Sequence, residues 1–179
     1  MKKILVISTS LHKDSNSDAL AREFERGARD AGNDVEYISL MGKDIKYCIG
    51  CLACQKTHRC VINDDARAIA ESVKAADVLV FATPIYYYEM CGQMKTLIDR
   101  INPIYDTDYA FTDVYLLATA AEDEPSAMDG AVKGITGFIE CFERSKLAGV
   151  LRATGVNYGG EINDRSDYLK QAYEMGKNA

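Results

Sequence analysis

The sequence contains no tryptophan, only three prolines and only two histidines in 179 residues. It has no apolar run near the roughly 18 residues that a membrane-spanning helix needs, and its first residues lack the apolar core and cleavage site of a signal peptide. No repeat, low-complexity tract or linker rich in Pro, Gly or Ser interrupts the chain. We therefore expect a single domain over residues 1–179, located in the cytoplasm and without a membrane partner.

Two glycine-rich phosphate-binding motifs are also absent, G-x-G-x-x-G and G-x-x-x-x-G-K-[ST]. Their absence argues against an ordinary dinucleotide-binding domain and against a P-loop enzyme. The formal net charge of -6 and the pI near 5.0 argue against a nucleic-acid partner, because phosphate backbones select basic surfaces. His12 and His58 have no visible nucleophilic partner, so we predict no catalytic set of the Ser-His-Asp kind.

The apolar residues that are present fall into short runs separated by amphipathic segments. Near-continuous apolar runs are typical of parallel strands covered on both faces, and the segments between them show helical periodicity. We therefore predict an α/β fold, a three-layer arrangement with a five-stranded parallel sheet. In such a sheet, ligands bind beyond the carboxyl ends of the strands, where the strand order reverses. The predicted strands lie at 4–7, 35–40, 78–82, 114–118 and 147–151.

The loop after the first predicted strand is rich in hydroxyl groups and contains no glycine. Residues 8–17 read STSLHKDSNS and precede a predicted helix. One of Ser15, Asn16 and Ser17 is expected to cap that helix, which explains one polar side chain but not a run of them. Side-chain donors beside the backbone N–H groups of a helix N-terminus suit a phosphate monoester, so we predict a phosphate site here.

The loop after the third predicted strand contains three consecutive tyrosines, in ATPIYYYEMCGQMK at 82–95. Aromatic rings at the sheet crevice can flank a flat ligand ring, or they can pack on the end of the sheet or against a second subunit. Thr119 follows the fourth strand and is predicted to begin a third wall of the same pocket. Cys91 lies in the tyrosine loop, where a free thiol can be exposed, whereas Cys141 is expected to pack as a small hydrophobe.

Four of the six cysteines lie within residues 48–60, CIGCLACQKTHRC, in the spacing C-x2-C-x2-C-x5-C. Four thiolates in one loop can ligate a four-iron cluster, and the first three spacings match the bacterial ferredoxin run. Zinc with His58 as a substitute ligand, a redox pair, and reduced cysteines that only pack are the alternatives. Asp64 and Asp65 are expected to act as acids at a helix N-terminus. The candidate metal ligands are Cys48, Cys51, Cys54 and Cys60.

Residues 10–17, together with ATPIYYYEMCGQMKTLIDR at 82–100, resemble the flavodoxin-fold NADPH-dependent FMN reductases. The cysteine run at 48–60 resembles the iron-sulfur flavoprotein branch of that family. The resemblance implies a sheet order of 2-1-3-4-5, FMN at the strand ends, and a homodimer or homotetramer with its active sites near subunit contacts.

The resemblance also implies roles for individual residues. Where the family usually has Pro-Arg, this chain has Leu11-His12, so His12 stands in place of an arginine that can bind phosphate with two donors. The residues implied to hold the FMN phosphate are Ser10, Ser15, Asn16 and Ser17. Those implied to border the isoalloxazine ring are Pro84, Ile85, Tyr86 and Tyr87.

The function that this resemblance implies is an FMN-dependent oxidoreductase. It would take electrons from NAD(P)H or a protein donor and pass them through FMN, with a 4Fe-4S cluster as a second candidate group, to a quinone, free flavin or metal complex. No side chain is expected to be catalytic, because FMN carries the chemistry. One alternative is a non-enzymatic electron carrier that docks on a redox protein. The other is a metal-binding module that has lost the flavin.

Overall fold

The computed structural model describes residues 1–179, and strands alternate with helices along the chain, as predicted. The strands are β1 (Lys3–Ser8), β2 (Asp34–Ser39), β3 (Val78–Tyr86), β4 (Glu89–Met90), β5 (Asp113–Thr119) and β6 (Lys146–Ala153). The helices are α1 (Asn16–Asp30), α2 (Cys54–Thr57), α3 (Ala66–Ala75), α4 (Gly92–Arg100), α5 (Asp129–Glu140) and α6 (Ser166–Lys177). Short 3-10 segments lie at Asn102–Ile104, Pro125–Met128 and Glu161–Asp164.

Five strands form a parallel sheet in the order β2-β1-β3-β5-β6. The predicted order of 2-1-3-4-5, and with it the flavodoxin-like fold, is confirmed; the numbers differ because the structure contains one additional strand. That strand, β4, pairs antiparallel with the end of β3, so that Ile85 faces Met90 and Tyr86 faces Glu89. The strand order reverses between β1 and β3, which opens a crevice at their carboxyl ends.

The core consists of two hydrophobic clusters, one on each face of the sheet. Leu5 and Ile7 of β1 belong to a cluster of 26 buried residues shared with α3, α4 and α5. Ile4 and Val6 belong to a cluster of 16 buried residues shared with α1 and α6. Because successive side chains of a strand point to opposite faces, burial of both faces requires the continuous apolar runs seen in the sequence.

Helices α1 and α6 approach each other closely enough to require glycine. A Cβ atom on Gly27 of α1 would overlap the carbonyl oxygen of Tyr173, and one on Gly176 of α6 would overlap that of Phe24. The two helices thus pack backbone against backbone over the second cluster. None of the helices in the chain combines the length and the hydropathy needed to cross a bilayer.

Candidate functional site

A cavity of about 360 Å³ lies at the carboxyl ends of β1, β3 and β5, within the usual size range of small-molecule sites. It lies where the strand order predicts a ligand. Ser17 and Tyr87 are the two predicted cofactor-binding residues that do not line it. The predicted residues that do line it are Ser10, His12, Ser15, Asn16, Pro84, Ile85, Tyr86 and Thr119.

The hydroxyl groups at one end of this cavity are arranged as donors. Ser15 caps α1, and its Oγ accepts the backbone N–H of Asp18 at 3.2 Å. Ser10 Oγ accepts the backbone N–H of His12 at 3.2 Å. Because both oxygens act as acceptors in these bonds, the hydroxyl hydrogen of Ser10 is available for donation, and that of Ser15 is available when Ser17 donates to it. Ser17 is fully buried, with its Oγ 3.1 Å from Ser15 Oγ, so it supports Ser15 rather than lining the cavity.

His12 adds one further donor at this end of the cavity. Its Nδ1 accepts the backbone N–H of Asp14 at 3.2 Å, which leaves the N–H of the neutral ring on Nε2. The side chain therefore presents a single donor where an arginine would present two. Asp14 also lines the cavity, but it is exposed, so water screens its negative charge.

A fourth wall of the cavity was missed by the sequence analysis. It is formed by residues 156–159, in the loop between β6 and α6. Asn16 holds this loop, because its Nδ2 donates to the carbonyl of Tyr158 at 2.9 Å and its Oδ1 accepts the backbone N–H of Ile162 at 3.1 Å. The loop follows the carboxyl end of a strand, so the rule that selected the other three loops could have identified it.

Two further contacts fix the loop at 156–159 against the rest of the site. A Cβ on Gly159 would lie 2.6 Å from His12 Cε1 and 2.8 Å from the carbonyl oxygen of Asp14, so only glycine fits there. The Glu161 carboxylate accepts the backbone N–H groups of Tyr158 at 2.9 Å and of Asn157 at 2.6 Å. These two bonds lower the pKa of Glu161 below its usual value.

The tyrosine loop forms a hairpin beside the cavity. Tyr86 lines the cavity, whereas Tyr87 occupies the tip of the hairpin with its whole side chain in solvent. Tyr87 and Tyr88 have φ angles of 51° and 65°, a left-handed conformation that is costly for bulky residues. Gly130 of α5 gives the hairpin room, because a Cβ there would overlap the carbonyl oxygen of Tyr88.

The environments of Cys91 and Cys141 are the reverse of those expected. Cys91 is fully buried, with its Sγ 3.2 Å from Thr9 Oγ1, while Thr9 Oγ1 lies 2.8 Å from the carbonyl oxygen of Ala82 and donates to it. The Thr9 hydroxyl therefore joins the ends of β1 and β3, and the buried thiol packs against it. Cys141 is exposed because it follows the last residue of α5 and turns away from the core, with its Sγ donating to the carbonyl of Gly137 at 3.4 Å.

The four clustered cysteines lie in the long segment between β2 and α3, the cysteine loop, which includes the short helix α2, and all six cysteines of the chain are free. Cys48 and Cys51 are exposed, whereas Cys54 and Cys60 are half-buried. No three Cys, His, Asp or Glu side chains in the chain lie together in a metal-binding arrangement. The donor set suits a cluster, but a cluster held by all four sulfurs requires the loop to rearrange.

The base of the cysteine loop is held by a buried ion pair between Arg100 and Asp64. Their side chains are 1% and 0% exposed, and the guanidinium donates to the two carboxylate oxygens at 2.6 and 2.8 Å. Burial by itself raises the pKa of Asp64, but the hydrogen bonds from Arg100 and from the backbone N–H of Lys46 lower it below its usual value. Asp64 has the expected role of an acid at a helix N-terminus, because it accepts the backbone N–H of Ala66. Its pairing with Arg100 is a second role that was not expected.

The cavity fits FMN in its chemistry as well as in its position. Ser10 and Ser15 line it near the N-terminus of α1, where the helix dipole and their hydroxyl donors suit a phosphate dianion. Pro84, Ile85 and Tyr86 line the same cavity, and their apolar and aromatic side chains suit an aromatic ring. The loop at 156–159 approaches the loop after β1 closely because residue 159 is glycine. A side chain at this position would occupy the space between the two loops.

Comparison with known proteins identifies relatives of this chain. Residues 2–133 match the family described as NADPH-dependent FMN reductase. The chain is 34% identical over 102 residues to an iron-sulfur flavoprotein of Methanocaldococcus jannaschii, which covers 57% of this chain and 53% of that protein. An iron-sulfur flavoprotein of Archaeoglobus fulgidus is 29% identical over 133 residues, covering 73% of this chain and 65% of that protein. For several of the curated relatives it matches, the chain spans about half of their length.

Among solved structures, the chain is similar to an NAD(P)H:quinone oxidoreductase from Methanothermobacter marburgensis. The TM-score is 0.73 at 17% identity, and the alignment covers 99% of this chain and 98% of that one. Identity this low shows a shared fold and nothing finer.

Proposed function

The chain belongs to the NADPH-dependent FMN reductase family, and on this premise we propose that it is an FMN-dependent oxidoreductase. It passes electrons from NAD(P)H or a protein donor to a small acceptor such as a quinone, free flavin or metal complex. The observation that carries the proposal is the cavity at the ends of β1, β3 and β5, whose lining combines the hydroxyl groups of Ser10 and Ser15 with the side chains of Pro84, Ile85 and Tyr86. FMN, when bound, supplies the redox chemistry by accepting hydride from a nicotinamide and releasing electrons.

The protein residues bind and orient the cofactor. Ser10 and Ser15 donate hydroxyl hydrogens to the phosphate, and His12 donates its Nε2–H. Pro84 and Tyr86 border the flavin ring, and Thr119 closes the cavity on the β5 side. No side chain needs to act as an acid or base for this function.

The phosphate site is tested by the double substitution Ser15→Ala and Ser17→Ala. We expect FMN affinity to fall at least about tenfold, because a hydrogen bond to a charged group contributes roughly 1.5–3 kcal/mol. Riboflavin lacks the phosphate, so its affinity should hardly change, which separates loss of phosphate donors from damage to the fold. Fluorescence titration of both flavins measures the two affinities, and unchanged FMN affinity would rule out the site.

We also propose that Cys48, Cys51, Cys54 and Cys60 ligate a 4Fe-4S cluster. The support is the cysteine spacing together with the relatives named as iron-sulfur flavoproteins. Replacing Cys51 by serine should abolish the iron content of anaerobically purified protein while FMN binding persists. Iron retained in that variant would place the ligands elsewhere.

Oxidation of NAD(P)H in the presence of an artificial acceptor separates an enzyme from an electron carrier. We expect turnover with the FMN-loaded protein, whereas a pure carrier should show none at a useful rate. Colourless protein that binds zinc and releases no flavin on denaturation would favour a metal-binding module.

We further propose that the chain acts in the cytoplasm, because its six free thiols suit a reducing compartment. We also propose that it forms a homodimer or homotetramer, because Tyr87 and Tyr88 are exposed beside the cavity and could pack against a second subunit.

A further inference from the structure

The tyrosine hairpin is interrupted at its base by a proline. The pair of β3 and β4 residues nearest the base is Ile85 with Met90. In the same register the next pair is Pro84 with Cys91, but Pro84 has no backbone N–H to donate across it. The backbone alone therefore cannot complete the ladder at the point where the hairpin leaves the sheet.

The hydroxyl group of Thr83 is inserted at this incomplete pair. Its Oγ1 accepts the backbone N–H of Cys91 at 3.1 Å and donates to the carbonyl oxygen of Pro84 at 2.9 Å. One side chain thus bridges the two legs of the hairpin. Thr83 and Cys91 are both fully buried, so removal of the hydroxyl would leave the N–H of Cys91 without an acceptor.

A second threonine ties the same base to β1. Thr9 donates its hydroxyl to the carbonyl oxygen of Ala82 at 2.8 Å, and its backbone N–H donates to the same oxygen at 3.0 Å. Thr9 is fully buried and directly precedes Ser10, which lines the cavity, while Ala82 directly precedes Thr83. The loop after β1 and the hairpin after β3 therefore leave the sheet from one shared, buried base.

Beyond this base, few interactions hold the shape of the hairpin. Its tip, Tyr87 and Tyr88, has φ angles of 51° and 65°, a combination that asparagine and glycine normally supply. Only two residue pairs join its legs. Tyr86, Tyr87 and Tyr88 are all more than half exposed, so burial of their rings contributes little. The position of the legs therefore depends on the bridge at their base.

Resting on the proposed flavin function, we infer that Thr83 is a positioning residue of the flavin site. Its hydroxyl joins the two legs where Pro84 cannot donate, and it thereby fixes the segment whose Pro84, Ile85 and Tyr86 border the flavin ring. Without the bridge, the hairpin occupies the binding conformation for only a fraction of the time. The apparent affinity for the ring then falls in proportion to that fraction.

The test compares variants that remove or keep the bridging hydroxyl. Thr83→Val removes the hydroxyl but keeps a branched side chain, and Thr83→Ser keeps the hydroxyl. Cys91→Ala is a control within the same buried cluster, because it removes the thiol beside Thr9 and leaves the bridge intact. Thr107→Val is a distant control, because the Thr107 hydroxyl donates to the carbonyl oxygen of Ile104 and does not line the cavity.

Fluorescence titration of the full chain measures its affinity for FMN and for riboflavin. We expect Thr83→Val to bind both flavins at least about tenfold more weakly, because the segment that borders the ring is loosened. Loss of the phosphate donors Ser15 and Ser17 should instead affect FMN alone. Thr83→Ser and both controls should stay within about threefold of the wild type. The visible circular dichroism of saturating FMN should change only in Thr83→Val, which a general loss of stability does not require.

Hydrogen exchange in the wild-type chain tests the bridge without any variant. Cys91 directly precedes α4, and Gly92 is the first residue of that helix, so the N–H of Gly92 has no acceptor within the helix. Because Thr83 accepts the N–H of Cys91, this amide should exchange at least about tenfold more slowly than that of Gly92, after correction for intrinsic rates.

Wild-type affinity for both flavins in Thr83→Val would overturn the inference and leave the flavin function standing. Equal exchange of the Cys91 and Gly92 amides would overturn it as well, even if Thr83→Val does not fold. A wild-type protein that binds neither flavin would overturn the proposed function and the inference together.

Discussion

Replacing Asp64 by asparagine tests the buried ion pair that holds the base of the cysteine loop. The substitution preserves the shape of the side chain but leaves the guanidinium of Arg100, which is 1% exposed, without a counter-charge. Removal of one partner of a buried pair costs about 3–5 kcal/mol. Asparagine keeps one acceptor oxygen but places its NH2 group where the other oxygen accepted. One of the two charge-assisted hydrogen bonds, at 2.6 and 2.8 Å, is therefore lost at a cost of about 1.5–3 kcal/mol, and the other is weakened, which leads to a similar figure. This is a large part of a typical unfolding free energy of about 5–15 kcal/mol.

Urea unfolding at neutral pH measures the effect. With a slope of about 2 kcal/mol per molar urea, the midpoint should fall by about 2 M. Asp99→Asn is the matched control, because Asp99 forms an exposed pair with Lys95 on the same helix as Arg100 and should cost less than about 1 kcal/mol. Equal costs for the two substitutions would refute the assignment of a buried, structurally important pair.

The pH dependence of the same comparison provides a second check. Because folding lowers the pKa of Asp64, its contribution to stability is complete above its unfolded pKa of about 3.9 and is lost as the pH falls through the lower folded value. The stability difference between wild type and Asp64→Asn should therefore be constant near neutral pH and shrink below about pH 4. A difference that grows on acidification would contradict the sign of the effect.

Four further substitutions test other parts of the structure. Gly27→Ala should lower the unfolding free energy by about 1–3 kcal/mol, because its Cβ would overlap the carbonyl oxygen of Tyr173. Gly137→Ala is the control: its Cβ meets no atom within 4 Å, so it should raise the unfolding free energy by roughly 0.5–1 kcal/mol. Thermal unfolding measures both. Tyr87→Gly should raise the unfolding free energy by about 0.5–1 kcal/mol, because the relief of strain in the left-handed backbone at residue 87 exceeds the entropy that glycine adds to the unfolded chain. A lower melting temperature would show instead that the tyrosine ring is packed in solution. Gly159→Ala should weaken FMN binding more than about tenfold, as measured by flavin fluorescence, because its Cβ would lie 2.6 Å from the loop after β1. Wild-type affinity in that variant would remove the fourth wall from the site.

The layered fold and the place of the cavity follow from local features of the chain. Strands that are apolar at every position must be covered on both faces, which requires layers of helices on either side of the sheet. Ligands of such a sheet bind at the carboxyl ends of its strands, and this selects the segments that contain Ser10, Pro84 and Thr119. The same rule, applied to the last strand, would have added residues 156–159. Local signals of this kind suffice because strand periodicity and loop composition are properties of neighbouring residues.

Contacts between residues that are distant in the chain became visible only in the three-dimensional structure. Asp64 and Arg100 are 36 residues apart, and Asn102 is 48 residues from Cys54, whose sulfur accepts its Nδ2–H, so no local pattern could pair them or divide the four cysteines into half-buried and exposed. Helix and loop patterns likewise placed Cys91 and Cys141 in the wrong environments, because burial depends on which neighbour covers a residue. The physical reason is that these contacts arise from the packing of α4 against the cysteine loop, and packing is a property of elements that lie far apart in the chain.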